Sequence, residues 1–402
     1  MWRRYGDVAF AAIFATAVSL EAIPLAFLTW RIAARLVGDT GGPEIAALLL
    51  GAVGSAALGL LLLSCYVLAY QHVSARHERL VGERRRVWAA RWLRVLDGDG
   101  TEPGGRLDRA SIEALLALRE TIRGDRSDRI AELLERHGAI VALERVARRG
   151  RLGGRLDATV ALSNARIPSA MPTLVAGVED SNQAISVASA RAAARTLARI
   201  DDLFDRDRWA AALTKAMIGR SLPFGVLEEV VVLSEEAAPS VIDAMLLAEH
   251  PGAECLRAAI DGVGRLKLLV FAEEIIRHLT HVDDEVRAAS LRAITRLGFL
   301  PESARGAVVT ALGDDVDFIR IHAAAAARLL PRPQALACLR DRLGDRSWWV
   351  RRSAADALVS MGLAGLGALG EATRAHEDPF ARDMAAQALR DHVPTLVRAV
   401  VG

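Results

Sequence analysis

The chain has 402 residues, of which 25% are charged, 52% hydrophobic and 5% aromatic, with a formal net charge of +2. So even a charge balance excludes a general polyanion binder, and the scarcity of aromatics beside abundant alanine argues against sandwiches and barrels. Mean hydropathy is +0.23, high for a wholly water-dissolved chain, and Cys65, Cys255 and Cys338 lie too far apart in sequence for a disulfide framework or a cysteine metal knuckle. Lys215 and Lys267 are the only lysines, so 49 of the 51 basic residues are arginine, a composition suggesting a high-GC bacterial genome.

The first element expected is a membrane span over 8–30. It is a 23-residue apolar run interrupted by Glu21 and Pro24. Proline is tolerated in a membrane helix where neighbours satisfy the freed carbonyl. A carboxylate at that depth turns toward protein or water. The run is too long for a cleaved signal peptide, and Asp7 and Glu21 suit one poorly. A second span is expected over 45–70, 26 residues without a charge. About 20 apolar residues cross the hydrocarbon core as a helix. Gly51, Ser55 and Gly59 recur every fourth residue and form a small-residue stripe suited to close helix packing, with Glu21 as the other candidate for that contact. The short, turn-like loop 37–44 makes the two spans a hairpin. Seven arginines follow the second span between 76 and 94, which places both termini in the cytoplasm under the positive-inside rule.

Residues 71–97 contain no proline and one glycine, so the second span is expected to continue as a basic helix. Leu80, Val81, Trp88, Trp92 and Val95 recur at helical spacing, while Arg84, Arg85, Arg86, Arg91 and Arg94 fill other positions. Near an anionic leaflet such arginines contribute roughly 1 kcal/mol each. The glycine-rich stretch 97–105 reads as the linker that ends the arm, which with its linker runs over 71–106.

The remainder, 107–402, is dominated by self-similarity. Segments 281–298, 313–330, 344–362 and 376–391 each carry an acidic turn, then an apolar or small residue followed by arginine, then an alanine-rich helix. The markers Arg287, Arg320, Arg351 and Arg382 are spaced 33, 31 and 31 residues apart, with Arg257 30 residues before the first. Aspartate at the turn is expected to cap the helix that follows. The apolar residue should face the core, and the arginine should reach the acidic turn of the adjacent repeat. A helix pair of this kind cannot bury its apolar face alone, so pairs stack. At these residues the sequence resembles HEAT repeats in the short, PBS-lyase HEAT-like form. The likeness runs over roughly 253–391, is weaker over 153–250 and does not reach 1–105. Residues 107–150 read as an N-terminal cap or degenerate repeats. The resemblance implies a protein-binding scaffold, with bilin lyases and a DNA glycosylase as enzymatic exceptions.

The expected architecture is therefore all-α: a two-helix transmembrane hairpin followed by a HEAT-like α-solenoid. No catalytic or metal-site pattern accompanies it. HExxH, the phosphate-loop GK[ST] and GxSxG are absent, and His278, His281, Asp283 and Asp284 sit where each repeat places its turn. The candidate partner-binding residues are Trp348, Trp349, Arg351 and Arg352, since tryptophan and arginine are enriched at interface hot spots. Arg320, His322, Arg287 and Arg292 are expected on the same inner face. The function expected is a non-enzymatic scaffold or accessory subunit in a bacterial inner membrane, without cofactor, metal or nucleic acid, docking a membrane protein such as a polysaccharide glycosyltransferase. The alternatives are a HEAT-fold enzyme, bilin-lyase-like in one version, and a lipid-regulated sensor using the basic arm.

Overall fold

A computed structural model describes residues 82–392 with their side chains and the backbone to Val401; before residue 82 it describes only 31, 51, 54, 59–61, 63–65, 67, 68 and 71. The expected span 8–30, most of 45–70, and the candidates Glu21 and Ser55 lie outside the described residues. Gly51 and Gly59 are helical and exposed, as are Leu60, Leu61, Leu63 and Val67. Among the described residues no helix is long and apolar enough to cross a membrane, and none forms a strand.

The chain divides into two compact units, Met1–Glu102 with Asp108–Ala114, and Pro103–Leu107 with Leu115–Gly402. In the first unit, helix α1 covers 82–96 and ends in a turn whose Gly98 takes a positive φ of 85°. Trp92, Val95 and Leu96 are buried on one face, while Arg84, Arg85, Arg86, Arg91 and Arg94 are exposed. This is the amphipathic split that the helical spacing predicts. The Trp92 indole N–H donates to Ser111 Oγ at 3.0 Å. That bond satisfies the one polar atom of a side chain otherwise suited to a core.

The second unit is a stack of helix pairs. Helices α2 (Arg109–Thr121), which starts in the first unit, and α3 (Asp125–Arg136) precede it. The pairs are α4 (Ala139–Arg149) with α5 (Leu152–Ala165), α6 (Met171–Val178) with α7 (Gln183–Leu197), α8 (Leu203–Gly219) with α9 (Phe224–Leu233), and α10 (Ala238–Leu246) with α11 (Gly252–Leu266). They continue with α12 (Ala272–Ile276) and α13 (Asp284–Leu297), α14 (Arg305–Ala311) and α15 (Asp317–Ala327), α16 (Arg332–Arg342) and α17 (Trp348–Ser360), and α18 (Leu363–Ala375) and α19 (Pro379–Val401). Each odd-numbered helix from α5 to α17 packs on the next odd-numbered one, making a continuous row. This is the α-solenoid the repeats predict.

Small residues set the spacing of that row. Ala288, Ala289, Ala293, Ala323, Ala324, Ala354 and Ala355 are fully buried. A Cβ added at Gly264 on α11 would lie 2.8 Å from the Ala293 Cα on α13, so only glycine allows this approach. The residues preceding the marker arginines, Val286, Ile319, Val350 and Ala381, have no exposed surface, as their position predicts.

Candidate functional site

The repeat turns are built around the marker arginines. Arg287 Nη1 donates to the carbonyls of His281 and Val282 at 2.9 and 3.2 Å, and its Nη2 to Asp314 Oδ2 in the next turn at 3.2 Å. Arg320 repeats the pattern more tightly. Its Nη1 donates to the carbonyls of Asp314 and Asp315 at 2.9 and 3.0 Å, and its Nε and Nη2 form a fork on both Asp345 oxygens, each at 2.9 Å. Arg351 Nη1 donates to the Asp345 carbonyl at 2.8 Å, and Arg382 Nη1 to the carbonyls of His376 and Glu377 at 2.7 and 3.0 Å. Each arginine thus closes its own turn, and two of them also bind the next one.

One turn position is filled by either aspartate or histidine, with the same job. Asp314 and Asp345 accept the backbone N–H two residues on, from Val316 and Ser347, at 3.0 and 2.8 Å. His281 and His376 do this with Nδ1, from Asp283 and Asp378, at 3.0 and 3.1 Å. The expectation that the turn aspartate caps the next helix therefore holds for Asp283, which accepts from Glu285 and Val286. It fails for Asp314 and Asp345, which brace the turn one step earlier. A histidine cannot offer a carboxylate to the preceding arginine. There Arg257 lies over the Phe224 ring at 4.1 Å and reaches Glu285 at 3.5 Å instead, Arg351 lies over Phe380 at 5.4 Å, and each leaves its Nε buried without a hydrogen-bond partner.

These contacts sort the candidate residues. The Arg320 and Asp345 side chains are each 4% exposed. Hydrogen bonding to Asp345 holds the Arg320 guanidinium above its usual range despite burial. For Asp345, burial opposes ionisation, but the Arg320 fork and the Ser347 N–H outweigh it and hold the carboxyl below the usual range. Arg320 is therefore a buried tie between turns, with nothing left for a partner, contrary to its expected place on the inner surface. Arg287 is mostly buried in the same role.

Arg292 and His322 meet in a second cluster, on adjacent helices of the odd-numbered row. Arg292 Nε and Nη2 donate to the two Asp261 oxygens at 3.1 and 2.7 Å, and Arg296 Nη1 adds a bond to Asp261 at 3.3 Å. Arg292 Nη1 lies 3.5 Å from His322 Nε2. Burial first, and then the Arg292 charge, push the His322 pKa down to about 4, so the ring is neutral and can accept. Asp261, the hub of this cluster, is absent from the sequence reading. A lone carboxylate inside the otherwise uncharged run 258–264 is the signal that marks it.

The tryptophans are placed differently. Trp348 and Trp349 open α17, are 43% and 63% exposed, and meet edge to face at 4.7 Å between ring centroids. Neither fills the core between repeats. Trp349 and Arg352 line an open groove of about 400 Å³ between α15 and α17, floored by Ile321, Ala325 and Ala357. Arg352 is anchored by Asp356 at 3.1 Å and Asp391 at 3.0 Å, so its aliphatic stem is held at the groove. Phe380, in the next turn, is 63% exposed and was not singled out by sequence. It occupies the same place relative to Arg382 that Trp349 occupies relative to Arg351.

Among the described residues no cluster of three or more histidine, cysteine, aspartate or glutamate side chains could hold a metal ion. His281 is instead committed to its turn. Burial raises the Cys255 thiol to about 12, which leaves it un-ionised and unreactive.

Comparison with known proteins adds to this geometry. A profile of HEAT repeats matches residues 272–359 and 317–390. Curated proteins give no match. Among solved structures, the chain is similar to an engineered protein at 15% identity, over 70% of this chain and 94% of that one, with a TM-score of 0.30. It is also similar to the YibA protein of Escherichia coli at 14% identity, over 72% of this chain and 99% of that one, with a TM-score of 0.38.

Proposed function

We propose that the chain is a non-enzymatic, membrane-anchored scaffold or accessory subunit whose HEAT-repeat solenoid docks a protein partner in a bacterial inner membrane. The carrying observation is the exposed Trp348–Trp349 pair beside the α15–α17 groove. Two large aromatic faces kept out of the core, next to an aliphatic floor and an anchored arginine, have the composition of an interface centre. HEAT repeats generally serve protein–protein contact, which agrees with this reading. The anchor rests on the uncharged run 45–70 and on the helical, exposed Leu60, Leu61, Leu63 and Val67. A membrane protein, such as a polysaccharide-synthesising glycosyltransferase, is the partner class such an anchor favours.

Two measurements test it together. Washed membranes should retain the full-length chain through high salt and release it with detergent; recovery in the aqueous fraction overturns the anchor. Affinity purification in mild detergent should return one stoichiometric membrane protein that W348A/W349A loses while melting as the parent does. Equal recovery with that variant overturns the docking surface.

A further inference from the structure

At the corner between α2 and α3, five arginines line a cavity of about 440 Å³: Arg119, Arg123, Arg166, Arg195 and Arg199. They come from separate places in the chain. Arg119 is in the last turn of α2, Arg123 in the link to α3, Arg166 at the end of α5, Arg195 in the last turn of α7, and Arg199 just beyond it. Glu120, Asp128 and Glu235 share the lining, so five positive charges face three negative ones, an excess of two.

The acids do not neutralise the arginines pairwise. Glu235 lies 3.7 Å from Arg166 Nη1. Arg119 spends its terminal nitrogens on the carbonyls of Ser127 and Arg166, and its Nε is buried with no partner. Among the described residues, no side-chain hydrogen bond or ion pair holds the guanidinium of Arg123, Arg195 or Arg199. Burial, and beyond it the positive charge of Arg199, hold Arg119 and Arg166 below the usual arginine range, against the pull of Asp128 on the first and Glu235 on the second.

A further feature converges on the same cavity. Arg166 and Glu235 both have φ of 46°, the left-handed region that side chains avoid, and they are two of the four such non-glycine residues among those described. Strain of this kind gathers at binding sites, where the surrounding structure holds it in place. The first turn of α3 borders the cavity through Gly124, Ser127 and Asp128, where the Ser127 and Asp128 N–H groups donate to the Gly124 carbonyl, so the arginines and not the helix start supply its free donors.

We propose that this cavity binds a small phosphorylated molecule, with Arg123, Arg195 and Arg199 on the phosphate and Arg119 Nε as a further donor. A carboxylate has two oxygens and satisfies one guanidinium fork; a phosphate dianion presents enough oxygens for several forks approaching from separate helices. The volume falls within the range of small-molecule sites and exceeds what phosphate alone needs, leaving room for a sugar or nucleoside. This site is independent of the tryptophan surface.

The test uses the full-length chain in mild detergent at physiological salt, with inorganic pyrophosphate and inorganic phosphate as probes in titration calorimetry. Pyrophosphate should bind saturably at one site. R195Q/R199Q should weaken it at least about tenfold, whereas R346Q, on a distant turn, should leave it unchanged. A second readout needs no ligand: R199Q relieves repulsion and should raise Tm by about one degree. No pyrophosphate binding at millimolar concentration, binding that survives R195Q/R199Q, several weak sites in place of one, or a Tm lowered by R199Q would each overturn the proposal.

Discussion

In the turns at 281–287, 314–320, 345–351 and 376–382, every marker guanidinium folds back on carbonyls of its own turn, and Arg287 and Arg320 continue to a carboxylate in the next. At the α2–α3 corner, arginines from the ends of α2, α5 and α7 face one another with too few acids between them. The same side chain is a structural tie in the first place and an unspent charge in the second. The difference lies in register. An arginine that recurs with the repeat can be matched by an acid that recurs with it, whereas at the corner only Arg166 and Arg199 are in register, 33 residues apart, and no acid recurs with them. Only the second arrangement leaves electrostatic free energy for a ligand.

That contrast can be broken experimentally, most severely at the tie itself. Arg320→Ala takes the guanidinium fork from the buried Asp345 carboxylate, leaving it the Ser347 N–H and Arg342 at 3.7 Å, and should cost about 3 kcal/mol or more, read as a lower denaturation midpoint in urea. A loss below about 1 kcal/mol would mean the turns are not held by these pairs.

The next largest effect is a pH dependence. His322 titrates near 4 in the folded chain and near 6.5 when unfolded, so the unfolded chain binds the extra proton first. Stability should fall as pH drops from about 6.5 to about 4, by roughly 3 kcal/mol, and this contribution should be constant outside that window. His322→Gln should flatten the slope there relative to the parent. Identical slopes for both proteins would show that His322 is not held neutral.

Smaller still is the exchange between the two kinds of turn. His376→Asp keeps an acceptor for the Asp378 N–H and offers Arg351 the carboxylate it lacks. It should stabilise by about 1 kcal/mol in thermal melts, and a loss would show that the Phe380 stacking is the better partner. Trp349→Ala should change stability least, by about 0.5 kcal/mol or less, because the ring is mostly in solvent. A large loss there would move Trp349 from the surface account to the core account.

How much of this could be read in advance follows from the same idea of register. Val286, Ile319, Val350 and Ala381 were legible as core because each precedes a periodic arginine, and the reach of Arg287 and Arg320 to the next turn was legible for the same reason. The exchange of aspartate for histidine at 281 and 376 was not, because it depends on Nδ1 and a carboxylate oxygen standing in one place. Arg292 looked like a surface cation until Asp261, 31 residues earlier, appeared beneath it. That spacing is close to the repeat period, so the pair is readable once the stack is known. The arginine cavity has only a partial trace: Arg166 and Arg199 are 33 residues apart, one repeat, but Arg119, Arg123 and Arg195 fall outside that spacing, and the five meet only through the ends of α2, α5 and α7.

The forward reach of Arg320 gives the stack a direction. Its guanidinium sits on turn carbonyls five and six residues back, but its counter-charge arrives 25 residues later, at Asp345. On a ribosome, the repeats that carry Arg287 and Arg320 would emerge with their cations still unmatched and would be completed only by their successors, so there maturation trails synthesis by one module. Shortened variants should therefore be cut after the acid that completes a pair, because a cut before it leaves an orphaned buried cation at the new terminus.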